Sequence, residues 1–106
     1  MTPQLASLVP AWYRPPYHLP QTLRTAADVF GISLSELTGD SRFTDLVRAR
    51  WAVMLAMRAR GVSMPRIGAA LGGRDHTTIL HGLKKATALR ATDPAFASKC
   101  AAVAAG

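Results

Sequence analysis

The stretch Ser63-Met64-Pro65-Arg66-Ile67-Gly68-Ala69-Ala70-Leu71-Gly72-Gly73-Arg74-Asp75-His76-Thr77-Thr78-Ile79-Leu80-His81 contains two helix starts separated by one break. Ser63 can cap a short helix through Leu71, with Pro65 in its first turn and Ile67 and Leu71 four residues apart. Gly72-Gly73 interrupts it, since adjacent glycines are costly to hold in a helix and readily take left-handed turns. Asp75 can cap a second, long helix to about Ala91, whose inner stripe is Leu80, Leu83 and Thr87 with Ile79 and Ala86 beside it. Two helices joined by a tight glycine turn, at about 63–71 and 75–90, predict a helix-turn-helix.

Helical spacing continues on both sides of this unit. Leu23, Ala26, Ala27 and Phe30 recur at helical intervals until Gly31, and Ser33-Leu34-Ser35-Glu36 has the form of a capping box opening a short helix that stops at Gly39. A helix over about 44–60 carries Leu46, Val53, Met54 and Met57 on one stripe, with Gly61 just past its end; the methionines read as core filling. Asp93-Pro94 caps a last helix bearing Phe96, Cys100 and Val103. Residues 1–20 hold five of the seven prolines together with Trp12, Tyr13 and Tyr17, so they predict an extended arm that packs on its own core or on a partner. The expected fold is all-α: a compact domain of about six helices over 21–106 containing the helix-turn-helix, preceded by a Pro-rich N-terminal arm.

Composition narrows the function classes. A chain of 106 residues with 49% apolar content fits one domain with a core. Its longest apolar run, Trp51 to Met57, is too short to span a membrane, and its N-terminus has no secretory pattern, so a cytoplasmic protein is expected. The single Cys100 excludes an internal disulfide and a cysteine-based zinc site. The net charge of +7 is concentrated: residues 41–90 hold ten cations against Asp45 and Asp75, while residues 1–40 and 91–106 are near neutral. Such a field suits a polyanion, and its plainer meaning is a solvated basic surface.

The start of the second helix is where chemistry collects. Arg74, Asp75, His76, Thr77 and Thr78 are all hydrogen-bonding side chains at the end that meets base edges in a helix-turn-helix. His81, Lys84 and Lys85 lie further along, placed for the phosphate backbone. Asp75 can equally serve as a cap alone. His76 and His81, five apart, fall on different sides of a helix and do not form a zinc pair. No third group orients an Asp75–His76–threonine set for catalysis, and no Gly-x-x-x-x-Gly-Lys loop exists for nucleotide hydrolysis. Neither an enzyme nor a cofactor is expected.

The run Gly72-Gly73-Arg74-Asp75-His76-Thr77-Thr78-Ile79-Leu80-His81 closely resembles the signature of the C-terminal DNA-binding domain of DnaA, the bacterial replication initiator, and the likeness extends from about Gln21 to Val103. The resemblance implies double-stranded DNA as partner and a nucleoid-associated protein. Asp75, His76 and Thr77 would read bases of a DnaA box in the major groove, and Arg42, in the loop before the third helix, would enter the minor groove. Arg74, Thr78, His81, Lys85 and Arg58 would contact phosphates, with main-chain amides at Met64-Pro65.

The sequence also departs from the family. The loop, usually rich in Lys and Arg, reads Asp40-Ser41-Arg42-Phe43-Thr44-Asp45, and Trp51 replaces a polar residue after Arg48 and Arg50. Fewer phosphate contacts predict weaker binding and a flatter salt dependence. The ATPase and oligomerising domains of the initiator are absent from these residues, and the Pro-rich start is unlike the initiator's helical linker, so a stand-alone relative is the expectation. The function expected is sequence-specific binding to DnaA-box-like sites that regulates replication initiation or transcription, with other replication or regulatory proteins as further partners. The alternative is a protein-interaction adaptor that keeps the fold and binds DNA weakly; intact Arg74 to Thr78 favour the first, Asp40, Asp45 and Trp51 the second.

Overall fold

The computed structural model describes residues 19–106; apart from Leu19 and Pro20, the expected N-terminal arm lies outside the described residues. Six helices follow in order: α1 (Leu19–Phe30), α2 (Leu34–Thr38), α3 (Thr44–Ala59), α4 (Met64–Ala70), α5 (His76–Thr92) and α6 (Pro94–Ala105). Among the described residues there is no strand, and no helix is long and apolar enough to cross a membrane. The first helix starts two residues before the position expected, with Pro20 in its opening turn, where its missing N–H costs nothing.

The local signals are realised by hydrogen bonds. Ser33 and Glu36 form the reciprocal capping box, each side chain accepting the other's backbone N–H at 3.0 Å. Ser63 caps α4 and Asp93 caps α6, the latter accepting the Phe96 N–H at 3.1 Å. Gly31 and Gly61 leave their helices at φ +66 and +81, the left-handed exit that glycine takes without strain.

Helix α3 is the centre of the bundle, packing against α1, α5 and α6 and touching both short helices. It buries Leu46, Ala49, Ala52, Val53, Met54, Ala56 and Met57. The core is completed by Ala26, Leu37, Val62, Ile67, Leu71, Ile79, Ala86, Phe96, Cys100 and Val103. Burial of this apolar area, at roughly 25 cal/mol per Å², is the force that holds α4 and α5 at a fixed angle on the α3 scaffold.

The inner face of α5 differs from the stripe the sequence predicts. Ile79, Gly82 and Ala86 are buried with Leu83 beside them, whereas Leu80 is 38% exposed and Thr87 is exposed. The cause is Gly82: a Cβ there would sit 2.5 Å from Met54 Sδ, so α5 lies directly on α3 at that point. A hydrophobic pattern gives glycine no weight, and the stripe read from it is rotated away from the real line of contact. The α4–α5 joint is equally close. A Cβ on Gly68 would collide with the Arg74 carbonyl, and Gly72 and Gly73 turn the chain at φ +91 and +86.

Candidate nucleic-acid interface

Because Ile79, Gly82 and Ala86 face inward, helical geometry turns Thr77, His81 and Lys84 outward along the opposite side of α5. His76, Thr77, Thr78, His81, Lys84 and Lys85 are all exposed. Asp75 is the N-cap of α5, accepting the Thr78 N–H at 2.9 Å. That bond, joined by one from the Thr78 hydroxyl, holds the Asp75 carboxyl below the ordinary aspartate range. The first turn therefore presents one structural anion and a row of exposed donors and acceptors. His76 stands on the flank nearer Leu80, while Thr78, His81 and Lys85 turn towards the loop that carries Arg42.

That loop is held from beneath by two guanidinium groups. Arg50, buried in α3, donates from Nε to the Leu37 carbonyl at 2.7 Å, from Nη1 to Ser41 at 2.6 Å and from Nη2 to Glu36 at 2.8 Å. Burial, and then the charge of Arg74, lowers its pKa from the usual arginine value, while Asp40 opposes the shift. Arg74, just before α5, donates from Nη2 to the Gly39 carbonyl at 2.6 Å and from Nη1 to the Leu71 carbonyl. The segment 36–41 is thus tied to α3 by one arginine and to the helix-turn-helix by the other. Arg74 also lines the face beside Thr78, where each terminal nitrogen gives one N–H to a chain carbonyl and keeps a second.

The remaining expected contacts are more dispersed. Arg42 is exposed on the loop, beside Lys85 across the groove between α3 and α5. Arg58 lies at the other end of α3, where Nη1 donates to the Val62 carbonyl at 3.1 Å. At the start of α4, the Arg66 N–H goes to Ser63 Oγ at 3.4 Å and Pro65 has no N–H to give, so Met64 is the donor of that Met64-Pro65 pair.

Two concavities meet at Arg42, Val47, Trp51 and Lys85. One, of about 660 Å³, is polar and includes Asp40, Arg74, Thr78 and His81. The other, of about 620 Å³, runs between α3 and α5 over Val47, Trp51, Ala88 and Leu89. Two aromatic residues stand in this region outside the set of DNA contacts expected from the sequence. Trp51 sits at the junction, and Phe43, next to Arg42, is 77% exposed. The sequence signal for Phe43 was its aromatic character inside an otherwise polar loop, whereas Trp51, midway along α3, opens the apolar run to Met57.

Residues 21–86 match the family model described as the bacterial dnaA protein helix-turn-helix. The chromosomal replication initiator protein DnaA of Oenococcus oeni is 42% identical over 79 residues, covering 74% of this chain and 18% of that protein. Its counterpart in Laribacter hongkongensis is 41% identical over 81 residues, 76% of this chain and 17% of the relative. That of Chromobacterium violaceum is 44% identical over 71 residues, 66% of this chain and 15% of the relative. The chain spans less than a fifth of the length of these relatives.

Proposed function

The chain belongs to the bacterial DnaA helix-turn-helix family, and from that premise we propose that it binds double-stranded DNA at DnaA-box-like sites and regulates replication initiation or transcription without ATPase activity. The observation that carries this reading is the start of α5, where Asp75 to Thr78 are exposed together while Ile79, Gly82 and Ala86 anchor the helix from behind. A rigid helix end bearing varied hydrogen-bonding groups is what base discrimination in the major groove requires.

The roles divide by position. Asp75, His76 and Thr77 meet base edges; Asp75 accepts from a base amine and the Thr77 methyl suits a thymine methyl. Arg42 enters the adjacent minor groove, where narrow A·T segments concentrate negative potential. Thr78, His81 and Lys85, the N–H groups that Arg74 does not give to chain carbonyls, and on the flanks Arg58 and the Met64 amide contact phosphates and set the register. Arg74 and Arg50 fix the distance between the two reading elements through the carbonyls of 36–41. A protein-interaction role is favoured by Asp40 and Asp45 in the loop and by the apolar trough over Val47, Trp51 and Leu89 at the edge of this face.

The test is binding to duplexes with and without a DnaA box across a salt series. The reading expects a box preference of at least about 10³-fold and a log–log salt slope shallower than that of a protein making ~6–10 phosphate contacts. A preference near one leaves the interaction module standing and removes sequence-specific reading.

A further inference from the structure

Phe43 is the most exposed of the large apolar side chains among the described residues, at 77% against 44% for Leu34 and 38% for Leu80. It also occupies the N-cap position of α3, at φ −56 and ψ 142, and makes no side-chain cap hydrogen bond. Ser, Thr, Asp or Asn at such a position would satisfy a first-turn N–H. Among the described residues, the fold therefore gives up both a cap and the burial of an aromatic ring at one position, and receives nothing for either. The backbone beneath it is nonetheless firmly placed: Arg50 holds the Ser41 carbonyl at 2.6 Å, and Ser41 Oγ accepts the Phe43 N–H at 3.5 Å. The neighbouring Arg42 lines both concavities of the candidate interface.

We propose that Phe43 is a DNA wedge. Its ring inserts from the minor-groove side between two base pairs next to the Arg42 contact, partly unstacks them and kinks the duplex towards the major groove, where α5 lies. This rests on the proposed reading that Arg42 enters the minor groove. An apolar ring beside an arginine is the pairing used by minor-groove proteins that kink DNA, and unstacking costs a few kcal/mol per step that the added contact area returns. Because the backbone is already pinned, insertion has only the ring's own rotamers left to order. The favoured step is pyrimidine–purine, which unstacks most easily, so the wedge adds specificity at a position that no hydrogen bond reads.

The experiment uses the full chain on a box duplex carrying 2-aminopurine at the step facing Arg42, with donor and acceptor dyes at its ends. The wild-type protein is expected to raise 2-aminopurine fluorescence and to bend the duplex by ~20–90°. Phe43→Ser is expected to abolish both signals and lower box affinity by about tenfold where the step is TA or CA, but much less where it is AA. The same substitution is expected to raise the thermal midpoint, because serine supplies the missing cap of α3; a structural Phe43 would move the midpoint the other way. Phe43→Leu, still an apolar wedge, should keep most of the bend. Box preference with a straight, stacked duplex, or a bend unchanged in Phe43→Ser, overturns the wedge alone. Loss of box preference in the wild type removes the underlying reading as well. A lowered midpoint in Phe43→Ser with DNA behaviour intact assigns the ring to folding and overturns the wedge.

Discussion

The first turn of α5 and the loop at 39–43 flank one solvent face, yet different chemistry holds them there. The helix start is built locally: Asp75 caps it from three residues away and Ile79, Gly82 and Ala86 seat it on the bundle. The loop is built at long range, through Arg50 and Arg74, which reach backbone carbonyls 9 to 35 residues distant in the chain. Two arginines that swell the count of surface charge are in effect internal struts. Of the ten cations in the middle segment, Arg42, Lys84 and Lys85 are exposed on the loop and on α5 itself, while Arg50 and Arg74 are engaged with chain carbonyls.

The sharpest way to break this contrast is to remove the strut under the loop. Arg50→Met keeps much of the volume but deprives the carbonyls of Glu36, Leu37 and Ser41 of their donors. With each hydrogen bond to a charged group contributing ~1.5–3 kcal/mol, a loss of at least about 3 kcal/mol is expected in urea unfolding. In amide exchange, the 36–43 segment should lose protection before α5 does. A loss below about 1 kcal/mol, or equal deprotection of both regions, means the loop is held by something other than Arg50.

Arg50 also marks the limit of what was legible in the sequence. The helices, the capping box at Ser33, the caps at Ser63, Asp75 and Asp93 and the helix-turn-helix follow from spacing, because each is fixed within a few residues. Arg50 stands between Leu46 and Val53 on the apolar side of α3, so its register announced burial, but its charge placed it with the surface. The partners that make burial tolerable lie in a different helix and loop, and no local pattern names them. Gly82 misled in the same way: its value is the close approach of Met54 on another helix, which composition does not express. The candidate site was legible as a set of residues at the start of α5 with Arg42 beside it, whereas the arginine hydrogen bonds that hold the Arg42 loop in place were not.

Substitutions at the interface sharpen the comparison at the next level down. His76→Ala and Thr77→Ala should each cost ~1–3 kcal/mol on a DnaA-box duplex and much less on unrelated DNA, read by fluorescence anisotropy. Lys85→Ala should weaken both duplexes alike and reduce the salt slope by about one unit. Equal losses on both duplexes for Thr77→Ala, in a protein that still folds, would show that α5 anchors to phosphates and reads nothing.

The smallest expected effect isolates the cap from the contact at Asp75. Its carboxyl is held below the ordinary aspartate range by the Thr78 N–H, so the folded state binds its proton less readily than the unfolded chain does. A depressed folded pKa contributes stability that is fully present above the unfolded value and is lost as pH falls through the folded one. The window therefore opens below about pH 4, the ordinary aspartate value, and nothing changes at neutral pH. Asp75→Asn keeps an oxygen to accept the Thr78 N–H but removes the charge that favours a helix N-terminus. Thermal midpoints of the two proteins should differ slightly at pH 7, with wild type higher, and converge as the pH is lowered through the carboxylate range. Asp75→Ala, which loses the acceptor as well, should lie below both at pH 7. A wild-type advantage over Asp75→Asn that stays constant to low pH would mean the charge plays no part in the cap. The exposed carboxylate would then be left to the one role that local structure does not explain, its proposed place among side chains that read bases.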